Sequence, residues 1–122
     1  MGVELLPDLD NRRFRGIENY DDGDLNAETR FQYFQRGRAV WGVMSGGGIA
    51  HGGLVARLND DSTLTMRWHY VTPTGKVVSG DCVSQIEILP DNRIRLHERW
   101  KIDGPEGEQG RSIIEEIRLD PE

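Results

Sequence analysis

The residue pattern predicts an all-β protein: eight antiparallel strands closed into an up-and-down β-barrel. Three observations carry this expectation. Glycine supplies 15 of the 122 residues, well above the roughly 7% of an average protein, and it falls between the ordered runs, where turns need it. Those runs alternate apolar and polar side chains or are rich in β-branched residues, the period-two signature of strands. The gaps between runs reach at most about nine residues, whereas a parallel crossover needs about a dozen or more, so successive strands run antiparallel. Closure removes the unpaired edges that an open meander exposes. A β-sandwich is the alternative, but it needs long connections between its sheets that these loops do not supply.

The first run, residues 14–19, ends at Tyr20-Asp21-Asp22-Gly23-Asp24. The second, 29–35, turns at Arg36-Gly37-Arg38 into the third, 39–44, and Ser45-Gly46-Gly47-Gly48 leads to the fourth, 49–58. Asn59-Asp60-Asp61-Ser62 joins the fourth to the fifth, 63–72, and Pro73-Thr74-Gly75-Lys76 joins that to the sixth, 77–89. Pro90-Asp91-Asn92 separates the sixth from the seventh, 93–102, and residues 103–109 lead to the eighth, 110–119. One window, around Asn26-Ala27-Glu28, could be helical, and β-branched and aromatic residues at period two overtake it within a few positions. Residues 1–122 are too few for a second core and form a single barrel domain. Residues 1–12 are expected to be a poorly ordered N-terminal extension.

Side-chain alternation assigns the faces. In the fifth run Leu64, Met66, Trp68 and Tyr70 oppose Thr63, Thr65, Arg67 and His69, so the apolar set points inward. The seventh sets Ile94, Leu96, Glu98, Trp100 and Ile102 against Arg93, Arg95, His97, Arg99 and Lys101. Glu98 thus stands among aliphatic and aromatic neighbours, where an unpaired carboxylate is costly and takes a partner or a proton. In the second run Phe31, Tyr33 and Gln35 share the inner face with Thr29 and leave Phe34 outside; the sixth turns Val78, Gly80, Cys82, Ser84 and Ile86 inward, small residues that leave space. The eighth run is open to two registers: Ile113 and Ile117 enter with Glu115, or Ile114 enters with Ser112 and Glu116. Either register brings a second carboxylate in beside Glu98.

An eight-stranded barrel is just wide enough to be filled by its side chains or to hold one small ligand. Tyr33, Met66, Trp68, Tyr70, Glu98 and Trp100 are the expected ligand-binding residues, aromatic walls with one acid that can accept a hydrogen bond, or donate one if its pKa is raised. Glu98 is also the candidate catalytic residue, a general acid or base working with Glu115 or Glu116. The structural reading of Glu98 is a buried carboxylate satisfied by Tyr33, Tyr70 or an inward arginine. His69 and His97 fall on outer faces of strands that have another between them, about 10 Å apart at a spacing of about 4.8 Å. That is too far for a shared zinc, and His51 alone makes no site, so no metal is expected. Ser45-Gly46-Gly47-Gly48 precedes a strand, not a helix, and lacks a Lys-Ser or Lys-Thr pair, so it is a tight turn instead of a phosphate loop. Cys82 has no histidine on its strand face and is left a packing role. The stripe of Arg93, Arg95, Arg99 and Lys101 answers acidic groups on adjacent strands, or a second subunit.

Fifteen Lys and Arg against 21 Asp and Glu give a net charge of −6, which repels phosphate backbones and argues against a nucleic-acid partner. No apolar run approaches the roughly 18 residues of a membrane span. The N-terminus has neither the basic start nor the apolar stretch of a signal peptide, and the single cysteine agrees with a reducing compartment, so the cytoplasm is expected. No residue pattern calls for a cofactor.

Several motifs resemble a family of small bacterial proteins of about this length: Phe31-x-Tyr33, Ser45-Gly46-Gly47-x-Ile49, Met66-Arg67-Trp68-His69, Ile94-Arg95-Leu96-His97-Glu98-Arg99-Trp100 and Ser112-Ile113-Ile114-Glu115-Glu116. The resemblance covers roughly residues 11–117. Members of that family have carried the label N-acetylglutamate synthase, and their strand pattern is similar to the calycin barrels, the avidin and lipocalin group that hold small ligands. The resemblance therefore implies a small-molecule-binding barrel, and the label implies an enzyme. A third expectation is an interaction protein that forms a homodimer through its outer surface, Phe34 and the basic stripe included.

Overall fold

A computed structural model describes residues 7–19 and 24–117. Its strands are β1 (Arg13–Asn19), β2 (Arg30–Arg36), β3 (Ala39–Gly46), β4 (Ile49–Leu58), β5 (Thr63–Val71), β6 (Val77–Ile88), β7 (Ile94–Ile102) and β8 (Gln109–Glu116). Each pairs antiparallel with the next, and β8 returns to pair with β1, so the sheet is a closed barrel. The eight expected runs are these eight strands, with ends shifted by a residue or two in most cases. Residues 20–23 of the first expected turn, and 118–119 of the last expected strand, lie outside the described residues. There is no helix among the described residues. Asn26-Ala27-Glu28 is instead a turn in which the Asn26 side-chain oxygen accepts the Glu28 N–H and its carbonyl accepts that of Thr29.

The inner faces are those that alternation assigned. Leu64 and Met66 on β5, Cys82, Ser84 and Ile86 on β6, and Ile94 and Leu96 on β7 are buried. On β8 the second register holds: Leu96 is opposite Ile114 and Glu98 opposite Ser112, both buried. Glu115 consequently points outward, where Arg93 and Arg95 donate to it at 2.8 and 2.7 Å. Glu116 keeps the inner side of the strand but lies four residues beyond Ser112, about 13 Å along the chain at about 3.4 Å per residue. There it accepts from Arg12 at 2.7 Å and from the Ile94 N–H at 3.0 Å. The expected second carboxylate beside Glu98 is therefore absent from that level of the barrel.

Connections alternate between the two ends. The turns after β2, β4 and β6 gather at one end, and residues 7–12 pack there too. Within the N-terminal extension this segment is anchored, not loose. Leu9 is fully buried, its N–H donates to Gln35 Oε1, and Asn11 N–H and Tyr33 N–H exchange bonds with Tyr33 and Arg12 carbonyls along β2. Residues 1–6 lie outside the described residues. On the outer surface Phe34 stacks on Trp41, ring centroids 6.1 Å apart.

Candidate functional site

The other end is open. A cavity of about 720 Å³ descends from a mouth formed by Asp24 and Leu25 ahead of β2, by Lys76 in the β5–β6 turn, and by residues 103–108 between β7 and β8. Met66, Trp68, Tyr70 and Trp100 line it, together with Phe31 and Ile49. Four of the six predicted ligand-binding residues are thus brought together in one wall. Tyr33 and Glu98 are not part of the lining. Each lies two residues further from the mouth than a lining neighbour on its own strand (Phe31 and Trp100), about 7 Å deeper, and both are buried.

The aromatic wall is built on glycine. Trp68 is opposite Gly80 on β6, and Tyr70 is opposite Gly52 on β4. A Cβ at Gly80 would come within 2.5 Å of Trp68 Cζ2, and one at Gly52 within 2.6 Å of Tyr70 Cβ. With no side chain at either position, the two rings settle against the strands and stack at a centroid distance of 5.6 Å and an interplanar angle of 14°. Both are pinned: Trp68 Nε1 donates to the Asp81 carbonyl at 3.1 Å and the Tyr70 hydroxyl to the Asp24 carboxylate at 2.7 Å. Burial, then that bond, then the charge of Asp24 raise the Tyr70 pKa well above its usual value.

Below the cavity floor is a polar cluster. Glu98 accepts from Ser112 Oγ at 3.1 Å and Ser84 Oγ at 3.3 Å. Burial pushes its pKa up to about 7, and the two serine bonds only partly offset that rise. The partners expected for it are not the ones found. Among the described residues Tyr70 is committed to Asp24, no arginine is buried, and the Tyr33 hydroxyl has no hydrogen-bond partner. Burial first, then Glu98 and Cys82, hold the Tyr33 hydroxyl neutral; Cys82 is likewise raised by burial and then by Glu98. Among the described residues Glu98 is thus the lone buried carboxylate, while Glu115 and Glu116 are engaged with arginines.

At the rim, Arg67 grips Asp103 with two bonds of 2.9 and 2.7 Å and Ser79 adds a third, which together hold the Asp103 pKa at about 2. His51 and His69 are exposed and His97 bonds Glu87 on the outer surface; no His, Cys, Asp or Glu cluster suited to a metal forms among the described residues. The prediction missed Phe31, Ile49, Asp24, Lys76, Glu106 and Glu108 as lining residues. Phe31 already lay on an inner face, but alternation gives the face of a strand and not the height of a residue on it. The rim acids lie in connections, one of them the longest gap.

A family described as avidin-like protein matches residues 7–117. No curated protein and no solved structure gives a match. Neither that match nor the helix-free barrel supports the N-acetylglutamate synthase label.

Proposed function

The chain belongs to the avidin-like protein family, and from that premise we propose that it binds one small, partly apolar molecule through the open end of its barrel. Trp68, Tyr70, Trp100 and Met66 form the apolar wall of the proposed site, and Tyr33 and Glu98 supply polar groups beneath it. The single observation that carries this reading is the aromatic-walled cavity of about 720 Å³ at one end of a barrel whose other end is packed, a volume within the roughly 300–1,000 Å³ of small-molecule sites. An enzymatic reading keeps only Glu98. The acid–base pair it called for lacks a second member, because Glu115 and Glu116 are in ion pairs. We propose in addition that two chains associate through the outer face of β2–β4, where the Phe34–Trp41 stack adjoins exposed Val43 and Val55.

Native mass spectrometry of protein purified from its own host tests both readings. The expected spectrum shows a dimer whose mass exceeds that of the bare chains by a retained small molecule, released on denaturation. Protein without any adduct, and without quenching of Trp68 and Trp100 fluorescence by a small-molecule library, would overturn the binding reading; a monomer at micromolar concentration would overturn the dimer.

A further inference from the structure

Resting on that binding reading, we propose that the ligand is an organic cation, an apolar body bearing an ammonium or similar positive head. The first support is the charge around the mouth. Among the described residues Asp24, Asp103, Glu106 and Glu108 line the cavity against one cation, Lys76. Arg67 neutralises Asp103, but Asp24, Glu106 and Glu108 have no ion-pair partner among the described residues. The second is the wall. The Trp68–Tyr70 stack and Trp100 offer π-faces, which attract cations and not anions, and the Tyr70–Asp24 bond fixes a carboxylate at the edge of the stack. The third lies underneath: among the described residues no buried arginine or lysine sets a positive charge below the cavity, so nothing there favours an anion. A cation entering from solvent therefore meets attraction at the rim and along the wall, while an anion meets repulsion at the rim and no positive charge beneath it. The net charge of −6 on the chain steers encounters the same way.

Three probes of nearly one shape separate charge from fit: benzyltrimethylammonium, its uncharged isostere neopentylbenzene, and phenylacetate. Binding is read by fluorescence quenching in a Trp41→Phe background, so that the signal comes from Trp68 and Trp100. Benzyltrimethylammonium is expected to bind at least about tenfold tighter than either analogue. That preference is expected to shrink severalfold at 1 M salt, where exposed charges are screened beyond about 3 Å, and again in the Glu106→Gln/Glu108→Gln double variant. If neopentylbenzene or phenylacetate binds as tightly as the cation, the cation inference fails and the binding reading stands. If no probe binds and native spectra show no retained molecule, both fail together.

Discussion

Glu98 sits where neither a cation nor bulk water stabilises its charge, and its two serine bonds do not make up the difference. Its pKa of about 7 in the fold against 4.5 for an ordinary glutamate has a calculable consequence. Between those values the folded chain holds a proton that the unfolded chain has released. Stability from this group is therefore complete below about pH 4.5 and declines as pH rises, until the loss is full above about pH 7. A difference of that size corresponds to about 3 kcal/mol. Tyr33 and Cys82, the groups that face Glu98 from β2 and β6, are both raised and stay neutral across this window. Asp103 acts in the opposite sense, since its pKa is lowered, and its contribution is lost only as pH falls through the acid range. The urea midpoint of the native chain should accordingly drop between pH 5 and pH 7.5. Glu98→Gln, which mimics the protonated form, should abolish the drop and stand above the native chain at pH 7.5. A flat native profile would show that Glu98 is not a desolvated acid.

Two neighbouring strands make the aromatic wall possible, because β5 offers the large residues at Trp68 and Tyr70 and β6 offers Gly80 where the indole lies. Gly80→Ala would drive a methyl group into the Trp68 six-membered ring and the Lys101 carbonyl oxygen. Overpacking of that kind costs about 1–3 kcal/mol. The expected variant is less stable by at least that amount, has a shifted Trp68 emission, and binds ligand more weakly; an unchanged emission spectrum would mean that the indole does not rest on Gly80. The aromatic set of β5 and the small set of β6 were legible because each strand carries its message in its own alternation. The register of β8 was not, since Ile113 and Ile114 are equally apolar and Glu115 and Glu116 equally acidic. Residues remote in sequence decide it: Arg93 and Arg95 hold Glu115 outside, and Arg12 waits for Glu116 at the closed end. The depth of Tyr33 and Glu98 was hidden for a related reason. Strand pairing sets how far each residue stands from the mouth, and a single strand does not contain that information.

Closing the sheet divides the labour between its two ends. One end is filled by Leu58, Leu64, Ile94, Leu96 and Ile114, all nearly inaccessible, with Leu9 laid against them by the segment that continues β1 along β2. The opposite end keeps the cavity and the rim acids. Stability and binding therefore respond to different substitutions. Leu9→Ala removes a fully buried side chain, a change that costs about 2–5 kcal/mol in a packed core. Leu9 is not among the lining residues, and effects at well-separated sites add to within about 0.5 kcal/mol, so the dissociation constant of a ligand quenching Trp68 and Trp100 should change by no more than about twofold. Thermal unfolding and the fluorescence titration, run on the same preparation, give both numbers. A variant that unfolds earlier yet binds as before places the site at the open end and the structural anchor at the other. Affinity that falls tenfold in Leu9→Ala while the folded population stays saturated would mean that the ligand reaches the barrel through the N-terminal segment, and the mouth between Asp24, Lys76 and Glu106 would lose its role.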